Sequence, residues 1–203
     1  ASAAWMDYDN NGYLDLYVSN STGNKLYYNN GNGVFTLNNS ALSQNLNSYG
    51  FSWGDYNNDG LTDIFTVNAG QINSLYKNNG GSLFTKVNNE IVGQEGLWSV
   101  ATNLIDYNND GRLDLFVTNR FSNHFNYLYK NVSNNGNFIT IRLRGCENKF
   151  GVGARIIVVA NDMVQMKEVQ SGSGWGSNSS LWSHFGLGNA SSIDSIIIKW
   201  PSD

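Results

Sequence analysis

The chain has 203 residues, a formal net charge of −4 at pH 7 and one cysteine. This length fits one or two domains with a hydrophobic core, the lone cysteine excludes an intrachain disulfide, and no cluster of Lys and Arg indicates nucleic-acid binding. Aromatic residues and Gly are plentiful while charged residues make up only 14%, which is typical of a turn-rich all-β protein. No apolar run is long enough to cross a bilayer, so we expect no membrane insertion.

In chain order, the first distinctive element is an acidic loop that recurs twice. It begins at Asp7 with the sequence Asp-Tyr-Asp-Asn-Asn-Gly-Tyr-Leu-Asp, and copies begin at Asp55 and Asp106. Each copy has oxygen-bearing side chains at positions 1, 3, 5 and 9 and a glycine at position 6, which permits a sharp turn. Hard cations such as Ca²⁺ take six to eight oxygen ligands, so we predict about three Ca²⁺ ions, one per loop. The predicted side-chain ligands are Asp7, Asp9, Asn11, Asp15, Asp55, Asn57, Asp59, Asp63, Asp106, Asn108, Asp110 and Asp114, and the predicted backbone carbonyl ligands at position 7 are those of Tyr13, Leu61 and Arg112.

Two alternatives compete with this interpretation of the loops. An EF-hand starts with the same pattern but needs a Glu at position 12 and flanking helices. Position 12 is Val18, Thr66 or Val117, and the residues around it are β-branched and aromatic, which favours strands. An ordinary Asp/Asn/Gly turn without metal is the simpler alternative, and the threefold recurrence of the ligand pattern argues against it.

The loops belong to a longer repeat. Each is followed by a strand-like run, a polar turn and the motif Leu-Tyr-x-Asn, which begins at Leu26, Leu75 and Leu128. A period near fifty residues with about four short strands per unit is typical of β-propeller blades. A solenoid is less favoured, because the strands read as antiparallel and linked by hairpins.

The combination of Trp53-Gly54-Asp55-Tyr56, the rest of that loop and the later Leu-Tyr-x-Asn resembles FG-GAP/VCBS repeats, the calcium-binding blades also found in integrin α-subunit propellers. The resemblance covers residues 1–134 and implies three blades. Residues 137–203 carry Gly-x-Gly-Ala-Arg at 151–155, His-Phe-Gly-Leu-Gly at 184–188 and Trp-Pro-Ser at 200–202. In this order these motifs resemble the ASPIC/UnbV domain, which follows such repeats in secreted proteins similar to the cartilage acidic protein family. We therefore predict two domains, 1–134 and 137–203, the second a small β domain.

These features predict an extracellular, non-enzymatic structural or interaction protein in which calcium stiffens the blades. Propellers typically have four to eight blades, so three cannot close a ring, and exposed strand edges recruit other chains. Either the chain is part of a larger propeller, or copies complete one another in a head-to-tail fibre. The alternatives are a lectin-like or cell-adhesion module that binds glycans or proteins and, least favoured, a polysaccharide-cleaving enzyme.

Several single residues are weaker candidates. Trp175, between two glycines, is a candidate for glycan or protein contact. We interpret Cys146 as a buried thiol and His184 as a packing residue, because neither lies near a catalytic partner in sequence. Arg155 is expected to pair with Glu168 or Asp194. Sequons for N-glycosylation begin at Asn20, Asn38, Asn131, Asn178 and Asn189.

Overall fold

The computed structural model is built almost entirely of β-strands, which confirms the predicted all-β class. It describes residues 1–39, 42, 46–87, 98–121, 123–133, 136–172 and 180–201. Within these ranges, no helix is long or apolar enough to cross a membrane.

The first two repeats each form a four-stranded antiparallel sheet in which neighbours in sequence are neighbours in space. Each metal-loop candidate connects the first strand of its sheet to the second. The first blade consists of β1 (Ser2–Met6), β2 (Asp15–Ser19), β3 (Lys25–Asn29) and β4 (Phe35–Asn38). The second consists of β5 (Ser48–Gly54), β6 (Asp63–Asn68), β7 (Ser74–Asn78) and β8 (Phe84–Lys86).

The third blade differs, because its described part has three strands. These are β9 (Ser99–Ile105), β10 (Asp114–Asn119) and β11 (Tyr127–Tyr129). After β11 the chain passes to β12 (Asn137–Arg142), which pairs with a strand near the C-terminus instead of with β11. The expected fourth strand of this blade is therefore absent from the described residues.

The blades pack face against face. One apolar cluster joins blades one and two, where the Tyr17 ring lies edge-on to Phe51 with centroids 4.7 Å apart. A second cluster joins blades two and three around Phe65, Leu104 and Leu115. Because β6 lies between these two clusters, all six of its residues are buried. Three of them, Asp63, Thr66 and Asn68, are polar, and their side chains are hydrogen-bonded within the blade, as buried polar groups require.

Residues 136–201 form two sheets around a separate apolar core, which we call the C-terminal sandwich. Its first sheet pairs β12 with β15 (Trp182–Gly188), and its second has the order β14 (Met163–Glu168), β13 (Arg155–Ala160), β16 (Ser195–Lys199). The predicted pair is present, with Arg155 Nε 3.1 Å from Glu168 Oε2. The interpretation of Cys146 as a buried thiol is wrong, since this residue is exposed.

Candidate metal loops and the interface that clamps them

The three acidic loops share one hydrogen-bond pattern. The position-1 carboxylate accepts two backbone N–H groups from positions 5 and 6: Asp7 from Asn11 and Gly12 at 3.0 and 2.9 Å, and likewise in the other loops. The position-5 side chain accepts the N–H of position 7 at 2.8–3.1 Å. The loop thus wraps its backbone around the side-chain oxygens, as a cation site requires.

The position-9 carboxylate fastens each loop to the strand carrying the Leu-Tyr-x-Asn motif. Asp63 accepts from Tyr56 N at 3.2 Å and from Asn78 N at 2.8 Å. Asp15 and Asp114 make the same two kinds of bond. This side chain is fully buried in all three loops, which explains why Asp recurs there.

Backbone conformation explains two further positions. The position-4 residues Asn10, Asn58 and Asn109 have φ of 60°, 55° and 58°, in the left-handed region that Asn tolerates better than most residues. The glycine at position 6 has φ of 81–88°, so its identity follows from the turn.

Several carboxylates of the first two loops are desolvated by burial. Burial raises the pKa of Asp7 and of Asp15 to about 7, that of Asp55 to about 6 and that of Asp63 to about 8. Burial also raises the pKa of Asp9. Carboxylates that resist ionisation because they are desolvated and mutually repelling are the groups that a bound cation stabilises.

The donor set fits a hard cation. Oxygens of Asp7, Asp9 and Asp15 all lie within 4.8 Å of one another, and carboxylate, amide and carbonyl oxygens are the ligands Ca²⁺ prefers. In the other two loops, basic side chains partly neutralise position 5: Lys77 lies 3.2 Å from Asp59, and Arg112 lies 3.1 Å from Asp110. The first loop has Asn11 at position 5 and Tyr28 where the second repeat has Lys77.

Asparagine amides connect successive loops. Asn10 Nδ2 donates to Gly60 O at 2.9 Å, and Asn58 Nδ2 donates to Gly111 O at 3.1 Å. In the opposite direction, Asn78 Nδ2 donates to Tyr8 O at 2.7 Å and Asn131 Nδ2 to Tyr56 O at 2.8 Å. These four bonds repeat with the blades and fix the position of one loop against the next.

The C-terminal sandwich closes over the second loop, which sequence reasoning missed. Asn58, which is 2% exposed, accepts from His184 Nε2 at 2.7 Å, and its backbone carbonyl accepts from Gly188 N at 2.8 Å. Burial, followed by the charge of Lys167, lowers the pKa of His184 to about 3. Because Asn58 Nδ2 donates to Gly111 O and Gly136 O, its Oδ1 faces the ring, and the neutral imidazole that donates to this oxygen carries its proton on Nε2.

Lys167 and Gly186 bring the sandwich close to the carboxylates. The Lys167 ammonium donates to His184 O, and its charge favours the ionised forms of Asp55 and Asp63. A Cβ added at Gly186 would lie 2.0 Å from Asp55 Oδ2 and 2.5 Å from the Asn58 Cα. Only glycine leaves room for this contact.

We expect Gly186→Ala to destabilise the protein by about 2 kcal/mol or more, because the contact is with backbone that cannot move aside cheaply. Gly188→Ala is the matched control, since a Cβ there meets only Asp59 O at 3.9 Å and the cost arises from its φ of 55°, about 1 kcal/mol. Urea unfolding compares the two variants. Equal losses would contradict the close packing of β15 on the second loop.

The remaining predicted residues are dispersed. Trp175 and Asn178 lie outside the described residues. The Asn131 amide is engaged between Tyr56 O and Leu113 O, whereas Asn189 is exposed and Asn20 and Asn38 are half-buried. His184 packs as predicted.

Comparison with known families bears on both parts of the chain. The model of the FG-GAP-like repeat matches residues 7–66 and 55–117, more than half of the chain in total, and that of ASPIC and UnbV matches residues 145–203. No curated protein matches the chain significantly. The similarity to the cartilage acidic protein family stays a prediction.

Proposed function

Because the chain belongs to the FG-GAP-like repeat family and also carries an ASPIC and UnbV region, we propose that it is an extracellular calcium-binding structural or interaction module. FG-GAP repeats are typical of extracellular or cell-surface proteins. We propose no enzymatic activity: His184 is buried, neutral and bonded to Asn58, as expected for a residue with a structural role.

The observation that carries the calcium proposal is that the same pattern of oxygen ligands occurs three times, each time with a fully buried carboxylate at position 9. The carboxylates of Asp15, Asp63 and Asp114 each bond to the Asn of the Leu-Tyr-x-Asn motif in the same blade, and so connect the loop to the third strand. A Ca²⁺ ion bound to these loops would supply positive charge. The chain's own residues then hold the hairpin: position 1 organises the turn, and position 9 ties it to the Leu-Tyr-x-Asn strand.

The test is thermal unfolding of the metal-depleted chain with excess EGTA, with Ca²⁺, and with Mg²⁺ as the control ion. We expect Ca²⁺ to raise Tm by about 10 °C or more, because ions that bind only the folded state add their binding free energy to its stability. Mg²⁺, which demands a tighter octahedral site, is expected to do less. An unchanged Tm on adding Ca²⁺ would refute the proposal.

Self-association is a second candidate. It is favoured by the outer blades, one and three, where the asparagine bonds that connect successive loops have no further loop to reach. Among the described residues, Asn109 Nδ2 has no hydrogen-bond partner, and Asn29 Nδ2 donates only within its own blade, to Leu14 O at 2.9 Å. A first blade placed against a third blade would restore both inter-loop bonds. We propose that a second copy provides this blade in a head-to-tail contact, and sedimentation in Ca²⁺ decides: a monodisperse monomer at high concentration excludes it.

A further inference from the structure

The C-terminal sandwich and blades two and three enclose a cleft of about 430 Å³. Volumes of about 300–1,000 Å³ between structural units are typical of small-ligand sites. One wall is formed by β5 and β9 and the other by β12, β14 and β15. None of the predicted functions uses this cleft.

Two aromatic side chains line the cleft while remaining open to solvent. Trp182 is 53% exposed and Phe138 is 43% exposed. Neighbouring side chains hold both rings in place. The Arg142 guanidinium lies over Trp182, 5.4 Å from the ring centroid, and Phe138 stacks on His184 with centroids 5.6 Å apart. Aromatic rings fixed by neighbours and left uncovered offer an apolar surface at little entropic cost.

The polar groups of the cleft are mainly uncharged. Thr140, which is half-buried, makes a long contact of 3.5 Å to His184 Nδ1, so its hydroxyl retains capacity for a stronger hydrogen bond. Glu168 uses Oε2 for Arg155, which leaves Oε1 to accept from a ligand hydroxyl.

The charges disfavour an anionic ligand. Of the described lining residues, the basic ones are Lys167 and His184. Lys167 already donates to His184 O, and His184 is neutral at pH 7. The carboxyl groups of Glu168 and Asp106 line the same cleft and would repel phosphate or carboxylate. A neutral ligand with an apolar face and several hydroxyl groups could pack on the aromatic rings and form hydrogen bonds with the polar groups of the cleft.

We propose that this cleft binds a neutral saccharide unit, whose C–H face packs on Trp182 and whose hydroxyl groups bond to Glu168 and Thr140. The site is independent of the proposed metal chemistry, apart from its shared wall with the third loop at Asp106. It gives the lectin-like alternative a location that does not depend on Trp175.

The test is saturation-transfer NMR and tryptophan fluorescence of the full chain in Ca²⁺ with four probes: the methyl glycosides of glucose, galactose, mannose and N-acetylglucosamine. We expect at least one to bind with a Kd of about 1 mM or below. Trp182→Ala should weaken that binding about tenfold or more, while Trp182→Phe should retain most of it.

Trp5→Ala is the matched control, because Trp5 is 44% exposed but lies on β1, outside the cleft. Thermal unfolding shows whether each variant is folded. Binding of none of the four glycosides, or an equal loss in Trp5→Ala and Trp182→Ala, would overturn the proposal. Since Ca²⁺ dependence of Tm is measured without sugar, failure of the saccharide site is distinguishable from failure of the calcium proposal.

Discussion

Without metal, the protein is expected to lose stability as the pH rises from about 4 to about 8. Burial raises the pKa of Asp63 to about 8 and that of Asp7 and Asp15 to about 7 in the folded state, whereas an Asp in an unfolded chain has a pKa near 3.9. A raised folded-state pKa means that the folded protein holds its proton more tightly. The resulting stabilisation is complete below about pH 4 and is lost as the pH passes through the folded-state pKa values.

Calcium should reverse this trend. A bound cation favours the ionised carboxylates, so protons compete with the ion and stability should fall as the pH is lowered. Urea unfolding from pH 4.5 to 8.5, on metal-depleted protein and in saturating Ca²⁺, gives the two profiles. A metal-free profile that rises with pH would show that these carboxylates are already balanced by other charges.

Asp63→Asn sharpens the comparison because it removes one ionisable group and keeps one oxygen acceptor. The variant would no longer bury a charge at this position, but the NH2 group of its amide would face one of the two backbone N–H groups that Asp63 accepts, so we expect a loss of about 1–3 kcal/mol in metal-free buffer at pH 8. In Ca²⁺ the loss should be larger, because an anionic ligand is also removed. An equal loss with and without Ca²⁺ would argue against metal at the second loop.

The loops were predictable from sequence because their determinants are local. The hydrogen bonds that the position-1 and position-5 side chains accept come from within the same nine residues, those of position 9 come from the loop and the Leu-Tyr-x-Asn strand, and the αL residues are Asn and Gly. Blade periodicity followed from the same repetition. Whether the loops hold calcium, and whether the position-7 carbonyls are ligands, stays a prediction.

Long-range packing was not predictable. Asn58 and His184 are 126 residues apart, and no motif relates a loop asparagine to a histidine of another sheet. Trp5 and Trp53 occupy equivalent places in the repeat, yet Trp5 is 44% exposed against Phe35 while Trp53 packs on the core, because only Trp53 has a blade on each side. Likewise, β12 pairs with β15 instead of with β11, so the third blade has no fourth strand among the described residues.

Asn58→Ala is expected to loosen the C-terminal sandwich from the blades and to destabilise the protein by about 2–4 kcal/mol. The substitution removes the acceptor of His184 Nε2 and the amide that donates to Gly111 O and to Gly136 O at 3.1 and 3.3 Å. A buried donor left without a partner costs about 1–3 kcal/mol. His184, which is 7% exposed, would then lack a partner at Nε2.

Asn109→Ala is the matched control for this substitution. Asn109 occupies the same loop position with nearly the same φ, 58° against 55°, but it is exposed and its side chain has no hydrogen bond to the described residues. It therefore reports the backbone strain alone, about 1 kcal/mol. Urea unfolding gives the stabilities, and limited proteolysis between β11 and β12 reports release of the sandwich. If both variants lose the same stability and are cleaved at the same rate, the Asn58 side chain does not hold the blades and the sandwich together. If only Asn58→Ala is cleaved faster between β11 and β12, this one asparagine connects the second loop, the third loop and the C-terminal sandwich.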